Sequence, residues 1–178
     1  MNKLVVPKSL KRGDTIALIS ISGGRAGDED MLYRYEAGKK RLEEVWGIHV
    51  IPTPNALAGS NFLYEHPEAR AEDLMWALQN TEVNGIICMM GGDDSYRVLP
   101  YIDLNVIKNN PKVFMGFSDI TSWMAVFAKA GIRAYYGPNL LTPIAQPVAL
   151  DPYTEQAITK CLFSAETIGN VSACSEYT

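Results

Sequence analysis

Lys112-Val113-Phe114-Met115-Gly116-Phe117-Ser118-Asp119 opens, after Pro111, as a short run of buried-strand character and turns without a linker into an apolar-periodic segment reaching about Lys129. A strand that passes straight into a helix is half of a β-α unit, which a parallel sheet must complete. The Gly-Phe-Ser-Asp turn also holds Ser118 out over the sheet's edge with its hydroxyl clear of the backbone, the arrangement of a nucleophile elbow. The free N–H groups and positive end of the following helix favour an anion developing beside that hydroxyl. Two readings of Ser118 and Asp119 stand together here. Capping a helix is the commonest duty of Ser and Asp at such a position, and the Gly-x-Ser-x-Gly form is absent, with Ile at 120 and Thr at 121.

Working outward, residues 15–22 (TIALISIS) form an apolar β-rich run that follows the turn signal Arg12-Gly13-Asp14 and feeds Gly23-Gly24. Residues 29–46 place Leu32, Tyr35, Leu42, Val45 and Trp46 at mostly helical spacing, with Gly47 as the stop. Residues 49–52 read as a second strand, and 67–79 as a helix with Pro67 in its permitted first turn. Residues 85–90 (GIICMM) form a third strand closed by Gly91-Gly92. Beyond Gly131, residues 133–136 are a short fifth strand, left through Gly137-Pro138-Asn139, and 151–163 a last helix. Alternating strands and helices give an α/β fold, a mostly parallel sheet with helices on both faces and right-handed crossovers. Ligands bind such sheets at the carboxyl ends of the strands, where three glycine-containing loops fall: 22–24, 91–95 and 116–119.

The chain has 178 residues, enough for one substantial core, and its 47% hydrophobic and 20% charged composition is that of an ordinary globular protein. Sixteen basic against 20 acidic residues give a net charge of −4, which lacks the field that draws a protein onto nucleic acid or anionic lipid. No apolar run of signal-peptide length precedes Pro7, and the charges of residues 8–14 interrupt the start, so the expected location is the cytoplasm, away from any membrane. Cys88, Cys161 and Cys174 are odd in number and widely spaced, which reads as reduced thiols with Cys88 buried. No metal or cofactor is expected.

Gly91-Gly92-Asp93-Asp94-Ser95 lets the backbone approach a ligand and aim N–H groups at it; equally, it is a tight turn with a helix cap at Asp94 or Ser95. Gly23-Gly24 lacks the Gly-x-Gly-x-x-Gly form of a dinucleotide site. A serine nucleophile needs a base, and the chain holds two histidines. His49 reads as a satisfied structural histidine and His66 as a surface or capping residue. Tyr135 and Tyr136, with Gly137-Pro138-Asn139, form a pocket wall or a plain turn. Trp76, Trp123, Met124 and Phe127 read as packing residues, and the charged stretch 36–44 as a solvated helix face.

Gly91-Gly92-Asp93-Asp94-Ser95 followed by Leu99-Pro100-Tyr101-Ile102-Asp103, then Gly116-Phe117-Ser118-Asp119, then Tyr136-Gly137-Pro138, resemble in order and spacing the LD-carboxypeptidase family of serine peptidases. The acidic Gly-Gly-Asp-Asp-Ser version is more similar to the microcin C immunity branch than to the murein-tetrapeptide branch. The resemblance implies a flavodoxin-like or class I glutamine-amidotransferase-like N-terminal domain over 1–164, with 165–178 a linker toward a C-terminal domain. It implies a Ser-Glu-His triad split between two domains, with Ser118 matching the nucleophile and the N–H groups of Gly92 and Asp119 matching the oxyanion hole. Gly91, Asp93, Ser95, Tyr136 and Asn139 are the implied substrate contacts. No residues here match the Glu and His, so the chain alone is expected to be inactive. The implied substrate is a small peptide or a peptidyl nucleotide, and the implied assembly a homodimer when full length. The competing expectation is a flavodoxin-like module that binds a ligand without turnover.

Overall fold

A computed structural model of the chain describes residues 3–164 and 168–174. The expected linker 165–178 therefore lies partly outside the described residues. Five strands form one parallel sheet in the order β2-β1-β3-β4-β5: β1 is Thr15–Ile19, β2 His49–Pro52, β3 Val83–Cys88, β4 Val113–Gly116 and β5 Tyr135–Tyr136. Six α-helices connect and flank them: α1 Leu32–Trp46, α2 Ser60–Glu65, α3 Pro67–Gln79, α4 Leu104–Asn109, α5 Thr121–Lys129 and α6 Pro152–Leu162. The α/β reading with helices on both faces is borne out.

Strand alternation decides which helices cover which face. Ile16, Leu18, Ile87, Val113 and Met115 point to the side covered by α1, α6 and the segment around Leu140, Leu141 and Ile144. Ala17, Ile19, Ile86, Cys88 and Phe114 point to the side covered by α3, α4 and α5, where Leu74, Leu78, Trp123 and Phe127 pack. Trp123, Phe127 and Cys88 are fully buried as expected, while Trp76 and Met124 are half-buried against the same cluster. On α1 the buried stripe is Tyr35, Gly38, Leu42 and Trp46; Leu32 is exposed, so the stripe starts one turn later than the spacing predicts. A Cβ on Gly38 would stand 2.8 Å from Leu140 Cγ, which is how closely α1 lies on the π-turn Leu140–Ile144.

Differences from the expected bounds have local causes. β1 ends at Ile19 because Ser20 turns its hydroxyl onto the Ala56 carbonyl at 2.9 Å as the chain leaves the sheet. α1 begins at Leu32 because the Asp28 carboxylate is taken by the Ser60 N–H at 2.8 Å and the Ser60 hydroxyl at 2.5 Å. β5 keeps two residues because Arg133 gives its N–H to the Val5 carbonyl at 2.9 Å instead. The short helices α2 and α4 and the 3-10 segment Ser95–Tyr101 carry no periodicity long enough to read. Among the described residues no helix is long and apolar enough to cross a membrane.

Candidate active site

β4 ends at Gly116, and two residues later Ser118 adopts φ 66°, a left-handed conformation that non-glycine residues rarely enter. Strain of this kind costs of order 1–3 kcal/mol and persists only where surrounding structure enforces it. Two neighbours enforce it here. A Cβ on Gly116 would stand 2.8 Å from Ile120 Cγ2 and 3.0 Å from Cys88 Cβ, so the turn folds back with no room for a side chain. The Asn139 side chain grips Phe117, accepting its N–H at 3.1 Å and donating to its carbonyl at 3.4 Å. Ser118 is exposed, and its Oγ makes no hydrogen bond among the described residues. The capping alternative fails at this point, because neither the 3-10 turn Ser118–Ile120 nor α5 behind it has a side-chain cap.

Gly91 lies flush against this serine: a Cβ there would meet Ser118 Cβ at 2.9 Å and Oγ at 3.1 Å. The Gly91 carbonyl accepts the Gly23 N–H at 3.1 Å, which joins the loop after β3 to the loop after β1. Gly92 is exposed, and its N–H has no acceptor among the described residues. The Asp119 N–H falls in the first turn of the 3-10 segment, where an amide has no intrahelical acceptor.

The Asp119 carboxylate works inward. Its Oδ2 accepts the Ser22 hydroxyl at 2.5 Å and the Ser95 N–H at 2.9 Å, so one side chain fastens the loops after β1, β3 and β4. Burial alone would push this carboxyl up, but the hydrogen bonds from Ser22 and Ser95, aided by the Arg70 charge, outweigh it and hold it below the usual carboxylate range. Arg70, on α3, is fully buried and forms a bidentate pair with Asp94, Nη1 to Oδ1 at 2.9 Å and Nη2 to Oδ2 at 3.0 Å. Its Nη1 also donates to the Ser22 carbonyl at 3.1 Å. Arg97 lies 3.4 Å from Asp94 Oδ2 and donates to the Tyr64 carbonyl at 2.7 Å.

The remaining expected contacts divide by exposure. Asp93 and Tyr136 are exposed, and Tyr136 sets its ring edge-on to Phe117 with centroids 6.5 Å apart. Asp93 borders a cleft of about 250 Å³ lined also by Ser22, Gly23, Ser60, Asn61 and Tyr64. Two expectations are corrected. Ser95 is buried, its N–H and hydroxyl turned to Asp119 and Ser122, and Asn139 is 1% exposed with its amide spent on Phe117, so neither side chain faces a ligand. His49 stands exposed at the start of β2, the edge strand of the sheet, as a strand residue outside the core. His66 precedes α3 with Nδ1 2.8 Å from Glu68 Oε1. The reading from sequence missed Ser22, Arg70 and Arg97. A signal existed for Arg70, since it falls on the stripe of Pro67, Leu74 and Ala77 and a charge in that phase needs a buried partner.

The profile of the LD-carboxypeptidase N-terminal domain matches residues 16–137. YocD of Bacillus subtilis is 33% identical over 159 residues, 87% of this chain and 46% of the relative. The microcin self-immunity protein MccF of Escherichia coli is 33% identical over 94 residues, 52% of this chain and 27% of its own length. The chain thus spans about half the length of its curated relatives, or less. Among solved structures, an MccF-like protein from Streptococcus pneumoniae in complex with AMP superimposes with a TM-score of 0.81 at 32% identity, covering 87% of this chain and 46% of that one. MccF in complex with aspartyl sulfamoyl adenosine superimposes at 0.80 with 25% identity, covering 92% and 48%.

Proposed function

The chain belongs to the LD-carboxypeptidase family, and from that premise we propose that it carries the nucleophile half of a serine-type amide hydrolase. The observation that supports this most is the exposed Ser118, held at φ 66° flush against Gly91. In the proposed reaction a base takes the Ser118 proton and Oγ attacks the amide carbonyl carbon. The oxyanion accepts the N–H groups of Gly92 and Asp119. Collapse expels the amine, which receives the proton from the base, and leaves an ester on Ser118 that water hydrolyses. His49 is exposed on β2, at the far edge of the sheet order from β5, and His66 is paired with Glu68. The proposal therefore assigns the Glu and His of the triad to residues outside these 178, so this chain by itself does not turn over.

The substrate class proposed first is an aminoacyl or peptidyl nucleotide. It is supported by the AMP-bound neighbour at 32% identity and by the polar cleft beside the Gly91-Gly92 loop. Murein peptides are the comparison substrate. The proposal includes a cytoplasmic homodimer of the complete protein, which native mass measurement checks. The complete gene product is offered aspartyl sulfamoyl adenosine and a murein tetrapeptide, with products read by mass spectrometry. Hydrolysis of the nucleotide analogue that disappears in Ser118→Ala is the expected result. Hydrolysis that survives this substitution rejects the assignment, and tight binding without turnover in the wild type points to a ligand-binding module.

A further inference from the structure

We infer that Arg70 is a positioning residue for the anion-binding amide of Gly92, acting through Asp94 and Ser22. The inference rests on the hydrolase reading for its kinetic consequences and on geometry alone for the rest. Gly92 sits on a short span held at both ends. Upstream, the Gly91 carbonyl is tied to the Gly23 N–H. Downstream, the Asp94 carboxylate is locked in the fork of a guanidinium with no solvent exposure. The same guanidinium holds the Ser22 carbonyl, and the Ser22 hydroxyl holds Asp119 next to the nucleophile. The contacts close a ring from Arg70 to Asp94, along the chain to Ser95, across to Asp119, on to Ser22 and back to Arg70. Asp119 is a member of this ring, and Gly92 lies between its member Asp94 and the Gly91–Gly23 tie.

Stability does not account for an arginine at this place. Burying a guanidinium and a carboxylate costs desolvation that their attraction offsets only with good geometry, and apolar residues of similar volume commonly serve as well or better. Arginine supplies instead a rigid planar fork that fixes a carboxylate in angle as well as distance, which lysine cannot do. Oxyanion stabilisation depends on donor placement and is sensitive to small displacements. The ring provides that placement from α3, none of whose residues lines the cleft beside Asp93.

The test has two arms. In the 178-residue chain itself, Arg70→Lys keeps the charge and removes the fork. The amide resonances of Gly92, Asp94 and Asp119 shift, while those of α1 and α6 stay in place. Unchanged Gly92 and Asp119 resonances overturn the inference whatever the protein's activity. In the complete gene product, Arg70→Met combined with Asp94→Leu removes both charges and keeps apolar volume. We expect a melting temperature at or above wild type, kcat down about 10- to 100-fold and KM within about twofold, the pattern of misplaced oxyanion donors. A folded double variant with wild-type kcat overturns the inference, as does an Arg70→Lys protein with wild-type kcat. Loss of turnover in Ser118→Ala tests the hydrolase reading separately and is indifferent to the amide shifts.

Discussion

Arg70 and Asp73 enter the interior from neighbouring turns of α3 and fasten two different loops in two different ways. Arg70 meets a carboxylate and, through Asp94 and Ser22, holds the loops around Ser118. Asp73 meets neutral donors, taking the Thr53 hydroxyl at 2.6 Å and the Asn55 side-chain amide at 2.9 Å, and so holds the loop after β2. Burial pushes the Asp73 carboxyl up, and the bonds from Thr53 and Asn55 do not fully offset it. At Asp119 burial pushes the same way and loses, with Arg70 contributing to the outcome. Two carboxylates with comparable hydrogen bonding, Asp73 buried and Asp119 half-buried, thus end on opposite sides of their ordinary value. The Asp119 carboxyl that fastens the site loops gives up its proton more readily than a free aspartic acid, and the Asp73 carboxyl that holds the β2 loop less readily.

The sharpest break of that contrast is Gly91→Ala. The added methyl, 2.9 Å from Ser118 Cβ, forces the two site loops apart, and turnover of the complete protein is expected to fall about 100-fold, as for other displacements near 1 Å. Wild-type kcat in this variant would show that the Gly91 approach to Ser118 is incidental. Next in size is Asp73→Asn, which removes an acceptor oxygen from buried donors. It should cost about 1–2 kcal/mol in urea unfolding and leave kcat within about twofold, since its loop lies away from Ser118. An equal loss of kcat would dissolve the distinction between the two regions.

Acid titration sharpens the contrast by sign. Asp119 titrates below its unfolded value of 3.8 when folded, so the stability it contributes is complete above that pH and is lost as pH falls through the folded value. Asp73 titrates above 3.8 when folded, so its contribution is complete below that pH and declines as pH rises through the folded value. Asp119→Asn should flatten the acid limb of the urea-midpoint curve, and Asp73→Asn should remove a decline above it. Matching curves for the two variants would refute the opposed assignments. The smallest expected effect is that of His49→Gln with His66→Gln: hydrolysis by the complete protein stays within about twofold, whereas a loss of 100-fold or more, the scale of a missing general base, would place the base inside this chain.

The sheet was legible because its signals are local. Each strand is a short apolar run closed by glycine or proline, and Gly116 to Asp119 displays its strand-to-helix turn in adjacent letters. Ser118 was legible as a candidate but not as a conformation, since φ 66° is imposed by Asn139 and Cys88 from elsewhere in the chain. The Arg70–Asp94 pair spans 24 positions and Ser22–Asp119 spans 97, so no window of sequence contains either. Ser95 and Asn139 were misread for the same reason. A polar residue in a site loop faces either a ligand or the scaffold, and its partner decides which.

The backward turn at residue 118 also limits what this scaffold can become. A β-branched threonine is strongly disfavoured in that conformation, so exchanging one hydroxyl nucleophile for the other is closed even though only a methyl separates them. Glycine enters it freely and would relieve on the order of 1 kcal/mol of strain. Descendants released from selection for chemistry should therefore drift to a sturdier, silent form, and a Ser118→Gly protein that melts later than its parent would be the laboratory trace of that slope.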